Sequence, residues 1–317
     1  MPGSSTTSTA DLPAAGPRGR GRGPLLPGVW VRVLDDAAAG TRSRLYEAAL
    51  RAVLAAHGEG YRRVVCGSWG PYGSAVAWAA AGLDVEATVV LPVAAGAPAA
   101  RLAGLGARVV VHGGATSGEV LAASRALAGS SCADVNVGGR YAAQVLDGLG
   151  GIVDSLALEL AAPPAGIWLP MGSGATVAAV GRRVLAAGWS SAVFGVAVAG
   201  GHSVVTSWPG RHRPVPRGGR PGVLMGTAGS WPLVRETAEY GATATEVLAG
   251  TGGAPVGVAE ADLLRAQELL ARHGVRASTV GSAGLAGLLV AAAQGRPDAG
   301  APERARLAGR HVVVVTG

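Results

Sequence analysis

The stretch Gly166-Ile167-Trp168-Leu169-Pro170-Met171-Gly172-Ser173-Gly174-Ala175-Thr176 runs from a short apolar segment into a Gly-Ser-Gly-Ala-Thr turn. It then continues into a helix-like segment from Val177 to Ala187. An apolar run that stops at glycines and resumes as a helix is the core of a β-α unit. Glycines let successive N–H groups converge, Ser173 and Thr176 add hydroxyls, and a helix N-terminus adds partial positive charge. Gly172, Ser173, Gly174, Ala175 and Thr176 therefore form a candidate phosphate-binding turn. Strand-glycine-helix turns are also ordinary packing devices, so this segment alone admits both readings. It is not a Walker loop, which needs a lysine.

Outward from this turn, apolar runs alternate with helix-like stretches. The runs are Val29 to Leu34, Arg63 to Cys66, Ala87 to Leu91, Arg108 to Val111, Asp134 to Val137, Ala192 to Val198 and His311 to Val315. Helices are expected at Arg44 to His57, Ser74 to Ala81, Ala97 to Leu105, Ser117 to Leu127, Tyr141 to Leu160, Glu260 to His273 and Leu285 to Ala293. Strands that alternate with helices pair in parallel, so the fold class is α/β, layered, with mainly parallel sheets. The runs Val109 to Val111 and Val312 to Val315 predict burial on both faces. A length of 317 residues suits two lobes. Residues 1–28 read as a disordered leader, 29–43 with 161–317 as a large α/β lobe, and 44–160 as a smaller one. Ala161-Ala162-Pro163-Pro164 reads as the hinge.

Composition narrows the function classes. Apolar residues make up 49%, with a single Phe, so the core is built from small aliphatic side chains. The net charge is +7 and all 27 cations are arginine, for the chain contains no lysine. The arginine clusters, Arg18, Arg20 and Arg22, then Arg211, Arg213, Arg217 and Arg220, lack interleaved aromatics, which argues against nucleic-acid binding. Cys66 and Cys132 show no metal-ligand spacing and are too few for a disulfide framework. No apolar stretch reaches the length of a membrane span. The expectation is a cytoplasmic protein.

The run Val64-Val65-Cys66-Gly67-Ser68-Trp69-Gly70-Pro71-Tyr72-Gly73, continuing to Gly82, resembles the strand, Ser-Ser-Gly-Asn-type loop and helix of the fold type II pyridoxal-phosphate (PLP) enzymes. These include threonine synthase, cysteine synthase, serine/threonine dehydratase and the tryptophan synthase β chain. The resemblance extends over Val29 to Gly317, through Ala87 to Pro92, Leu105-Gly106-Ala107, the glycine turn, Ser282-Ala283-Gly284 and Val312 to Thr316. It implies a lyase or synthase scaffold of amino-acid metabolism, commonly dimeric. It also implies that Thr316 faces the pyridine nitrogen, so cofactor binding falls to Gly172, Ser173, Gly174, Ala175, Thr176 and Thr316.

The same resemblance exposes two departures. The family lysine that forms the internal aldimine aligns near Ser43, flanked by Arg42 and Arg44, and a guanidinium cannot form a Schiff base. The family Asn that orients the cofactor ring aligns with Pro71, which has no polar side-chain atom and no N–H. Three readings follow. The first is a pseudoenzyme that binds a partner or a phosphate-bearing or amino-acid ligand, as a homo- or hetero-dimer. The second is an enzyme of specialised metabolism with rebuilt, lysine-independent chemistry, its candidate groups being Ser43, Tyr72, Cys66 and His202. The third holds PLP noncovalently. His202 is read as a loop base or an exposed loop residue, and Cys66 as a nucleophile or an inert buried thiol. Tyr72 stacks over a ring or fills the pocket. The Pro/Gly-rich loop from Thr206 to Met225 is expected to be a lid, a partner contact or disordered.

Overall fold

The computed structural model describes residues 9–12, 30–35, 44–69, 71–93, 96–113, 116–208, 230–235, 237–294 and 309–315. Ser43, Thr316 and residues 209–229 lie outside the described residues. The chain divides into two compact units, residues 1–40 with 152–317, and residues 41–151. The second boundary falls inside the helix Ala142–Glu159 rather than at the Ala-Pro stretch after it. Helical hydrogen bonding carries the chain across that boundary without a break.

The first unit is built on a six-stranded sheet. Its strands are β1 (Thr9–Leu12), β2 (Trp30–Asp35), β7 (Gly166–Pro170), β8 (Ala192–Val198), β9 (Ala254–Val258) and β10 (Arg310–Val315), in the order β1-β2-β10-β7-β8-β9. All neighbours are parallel except β1, which pairs antiparallel with β2. The leader is thus not wholly unstructured: Thr9–Leu12 covers the edge that β2 would otherwise leave open, satisfying its backbone groups.

Alternation along the strands builds two cores, one on each face. Ile167, Leu169, Val193, Ala197, Val312 and Val314 pack with α6 (Ala175–Ala186), α7 (Ser203–Ser207), α8 (Gly241–Gly250) and the last turns of α5 (Ala142–Glu159). Trp168, Phe194, Val196, Val198, Val313 and Val315 pack with α9 (Glu260–Arg272) and α10 (Ala283–Gln294). Val312 to Val315 are thereby buried on both faces, as the apolar run predicts. Trp168 stacks on Phe194 at 4.0 Å and donates its indole N–H to His311 Nδ1. Helix α10 sits directly on the strands: a Cβ at Gly284 would lie 2.7 Å from the Trp168 carbonyl oxygen, and one at Gly287 would lie 2.4 Å from Val196 Cγ2.

The second unit carries a four-stranded parallel sheet. Its strands β3 (Arg63–Gly67), β4 (Glu86–Pro92), β5 (Arg108–His112) and β6 (Ala133–Asp134) lie in the order β5-β4-β3-β6. Its helices are α1 (Arg44–Gly58), α2 (Pro71–Ala81), α3 (Gly96–Gly104), α4 (Ser117–Ala126) and the first turns of α5. Gly148 of α5 admits Ala48 of α1, whose Cα would be 2.6 Å from a Cβ placed there. The expectation of two-sided burial fails at β5: it is an edge strand, and Val111 is 57% exposed.

Candidate functional site

In the first unit, strand β7 delivers the chain into the turn Gly172 to Thr176, and α6 leaves it. Two glycines are obligatory there for different reasons. Gly174, the N-cap of α6, has φ +84°, a left-handed conformation that glycine alone adopts at little cost. A Cβ on it would also lie 3.2 Å from the Tyr240 carbonyl. Gly172 abuts the Pro232 carbonyl oxygen, which a Cβ would meet at 2.4 Å.

The carbonyls of this turn are all tied. The Gly172 oxygen accepts from His202 Nε2 at 2.7 Å, the Ser173 oxygen from the Tyr240 N–H at 2.8 Å, and the Gly174 oxygen from the Ala178 N–H at 2.9 Å. Ser173 Oγ accepts from the Ala175 N–H at 3.3 Å. A trans peptide sets its N–H opposite its C=O, so these ties orient the Ser173 and Gly174 N–H groups alongside those of Thr176 and Val177, while the Ala175 N–H is taken by Ser173 Oγ. That is the donor set an anion requires. Ser173 and Thr176 are half-buried.

His202 is buried, not an exposed loop residue. Its Nδ1 accepts from the Val204 N–H at 3.3 Å and caps α7. The proton therefore sits on Nε2, which donates to Gly172. Burial pulls the imidazole below its ordinary value of 6.5; the bond to Gly172 opposes that shift and the nearby Arg235 charge adds to it. The backbone of Arg235 brackets His202, donating to the Gly201 oxygen and accepting from the Ser203 N–H, each at 2.8 Å. The Arg235 guanidinium is itself buried, which lowers its pKa, with Glu239 acting in the opposite sense.

The remaining sequence candidates lie in the second unit. Cys66 is wholly buried on β3, and burial, then the Asp134 charge, pushes its thiol pKa far up. Tyr72 is buried on α2 and donates its hydroxyl to the Val135 carbonyl at 2.8 Å. Pro71 is exposed at the first position of α2, where its missing N–H is tolerated. Three N–H groups to either side of it are taken up internally. The Gly67 N–H goes to Asn136 Oδ1 at 2.7 Å, the Ser68 N–H to the Val90 oxygen at 3.0 Å, and the Gly73 N–H to Ser68 Oγ at 2.9 Å. Asn136 is fixed in turn through Nδ2 to Ser124 Oγ and Asp134 Oδ1.

Sequence reasoning missed Asn136, Pro232 and Tyr240. The only local signal for Asn136 is the Asp two residues before it, an Asx-type spacing. Pro232 and Tyr240 reach the turn from some sixty residues downstream, and nothing local marks them. Among the described residues no group of His, Cys, Asp and Glu could hold a metal ion, and no helix is long and apolar enough to cross a membrane.

A parallel-sheet α/β unit with a glycine turn between β7 and α6, together with a second parallel-sheet unit, defines the tryptophan synthase β-like class of fold. Solved structures agree. This chain is similar to a pyridoxal 5'-phosphate-dependent aspartate racemase at 18% identity and TM-score 0.70, with 92% of this chain and 84% of that one covered. It is similar to a threonine deaminase from T.th. at 21% identity and TM-score 0.66, with 92% and 87% covered. For diaminopropionate ammonia lyase from Escherichia coli the values are 16% and 0.73, with 91% and 80% covered. At such identities the likeness speaks for the fold. The family model for pyridoxal-phosphate dependent enzymes matches residues 38–317, and the chain belongs to that family. A search by sequence among curated proteins finds no match.

Proposed function

We propose that this chain is a pseudoenzyme of the pyridoxal-phosphate family, a cytoplasmic binding protein that grips a phosphate-bearing small molecule at Gly172 to Thr176 and forms no Schiff base. The observation that carries the reading is the pairing of a chain without lysine with a turn whose carbonyls are all tied back. The residues present fit the phosphate of the cofactor and do not fit its aldehyde, since no side chain offers a primary amine. PLP would be held noncovalently, as one phosphorylated ligand among others. No chemical step is derived through it.

The rebuilt-enzyme reading draws no support from three of its four candidate groups, the fourth, Ser43, lying outside the described residues. Both nitrogens of His202 serve the backbone, the Tyr72 hydroxyl serves Val135, and the Cys66 thiol stays protonated and enclosed. A nucleophile or base needs a free, suitably tuned group.

The test uses the purified full chain. Calorimetry with pyridoxamine 5'-phosphate, pyridoxamine and inorganic phosphate is expected to show binding of the two phosphates and none of pyridoxamine. PLP followed by borohydride is expected to leave no adduct on any internal peptide. A borohydride-fixed internal adduct, or equal affinity for pyridoxamine and its phosphate, overturns the reading.

A further inference from the structure

The ties on the glycine turn differ in kind. Tyr240 and Ala178 hold the Ser173 and Gly174 carbonyls through backbone N–H groups, which any residue but proline supplies. The Gly172 carbonyl is held by a side chain, His202, through Nε2 at 2.7 Å. We propose that His202 is the positioning residue of the turn, and that its bond to the Gly172 carbonyl aims the N–H of the same peptide, that of Ser173, at a bound phosphate. The inference rests on the phosphate reading above and adds to it the residue that sets the turn's geometry.

Three observations support it. The ring is buried and cannot swing out to water. It is anchored at both ends, since Nδ1 receives the Val204 N–H while Nε2 donates to Gly172. Its own backbone is clamped by Arg235 on either side. Without the Nε2 donor, the Gly172 carbonyl has no fixed partner, and glycine on that peptide leaves it free to flip. A flipped peptide presents an oxygen to the anion in place of an N–H. One lost charge-assisted donor then also becomes one repulsive contact.

Two substitutions separate positioning from mere packing. In His202→Asn the amide lies where Nδ1 lies, so the cap on Val204 is kept and the bond to Gly172 is lost. In His202→Gln the terminal amide reaches the Nε2 position, so donation to Gly172 is kept. Inorganic phosphate affinity by calorimetry, amide hydrogen exchange at Ser173 and Gly174, and Tm are measured on wild type and both variants. The expected result is that the Asn variant binds phosphate at least about tenfold more weakly and exchanges those amides faster, while the Gln variant stays within about threefold of wild type.

Equal phosphate affinity in all three proteins, or losses that follow Tm in both variants alike, overturns the inference and leaves the phosphate reading standing. If wild type itself binds no phosphate, the phosphate reading falls and the exchange data decide. Faster exchange in the Asn variant alone sustains His202 as the positioning residue, and unchanged exchange refutes it.

Discussion

The chain contains two strand-turn-helix junctions of the same general design, β3 into α2 and β7 into α6, and they have been finished in opposite ways. At β7–α6 the Gly172, Ser173 and Gly174 carbonyls are tied back and the Ala175 N–H is taken by Ser173 Oγ, which leaves the Ser173 and Gly174 N–H groups to a ligand on the reading proposed above. At β3–α2 the N–H groups of Gly67, Ser68 and Gly73 are consumed by Asn136, Val90 and Ser68, and Pro71 has none to give. On the reading proposed above, the first junction offers donors to a ligand, while the second spends three of its own internally.

The sharpest way to break this contrast is a matched pair of glycine substitutions. Gly172→Ala drives a Cβ against the Pro232 carbonyl oxygen at 2.4 Å. It is expected to destabilise by about 3 kcal/mol and abolish measurable phosphate binding. Gly73→Ala meets Val89 Cγ1 at 2.7 Å, and is expected to destabilise by about 2 kcal/mol with phosphate affinity unchanged. Urea denaturation and calorimetry report the two quantities separately. The contrast collapses if Gly73→Ala weakens phosphate binding as much as Gly172→Ala.

A somewhat smaller effect is expected at Asn136, which holds the closed junction together. Asn136→Ala leaves the buried Gly67 N–H without an acceptor, and about 2 kcal/mol of stability should be lost, again without change in phosphate affinity. A loss below about 0.5 kcal/mol, within the range of neutral surface changes, would show that the closed junction does not depend on this side chain.

The open junction should also register pH. The His202 pKa lies below its ordinary 6.5 in the folded chain, so the unfolded chain takes up the proton first as pH falls. The stabilisation is then complete above about pH 6.5 and is lost as pH drops from there toward the folded value. The wild-type minus His202→Asn difference in stability should fall over that window. Arg235, the charged group beside the ring, and Glu239, which acts on Arg235, are common to both proteins and cancel in the difference. A flat difference would remove the linkage.

The smallest expected signal is the reactivity of the two thiols. Burial disfavours both thiolates, but Cys66 is enclosed whereas Cys132 is only half-buried. Iodoacetamide should modify Cys132 in the native chain and Cys66 only after unfolding, as read by peptide mass. Early modification of Cys66 would contradict the closure of the second unit around β3.

Most of the architecture is legible from local pattern, because strands such as Ala192–Val198 and helices such as Glu260–Arg272 carry their period in their own residues. Four elements, β1, α7, α8 and β9, are not, and two of them show why. Strand β9, Ala254–Val258, contains Pro255 and Gly257, which read as breakers; it forms because it is the edge next to β8, where a missing N–H is tolerated. Helix α8 is rich in threonine and glycine and is held by tertiary packing, with Val247 so close to Gly181 that a Cβ there would lie 2.5 Å from Val247 Cγ2. The glycine turn is visible as a motif, but what completes it is not. His202 could be singled out, yet its burial and its bond to Gly172 depend on a fold that brings residues thirty apart together.

The seating of α10 on the sheet bears on how such a chain changes over time. Where Gly284 and Gly287 let helix and strand touch, the interior is filled by nearness and not by bulk, so a substitution bias toward glycine and alanine leaves the seam intact.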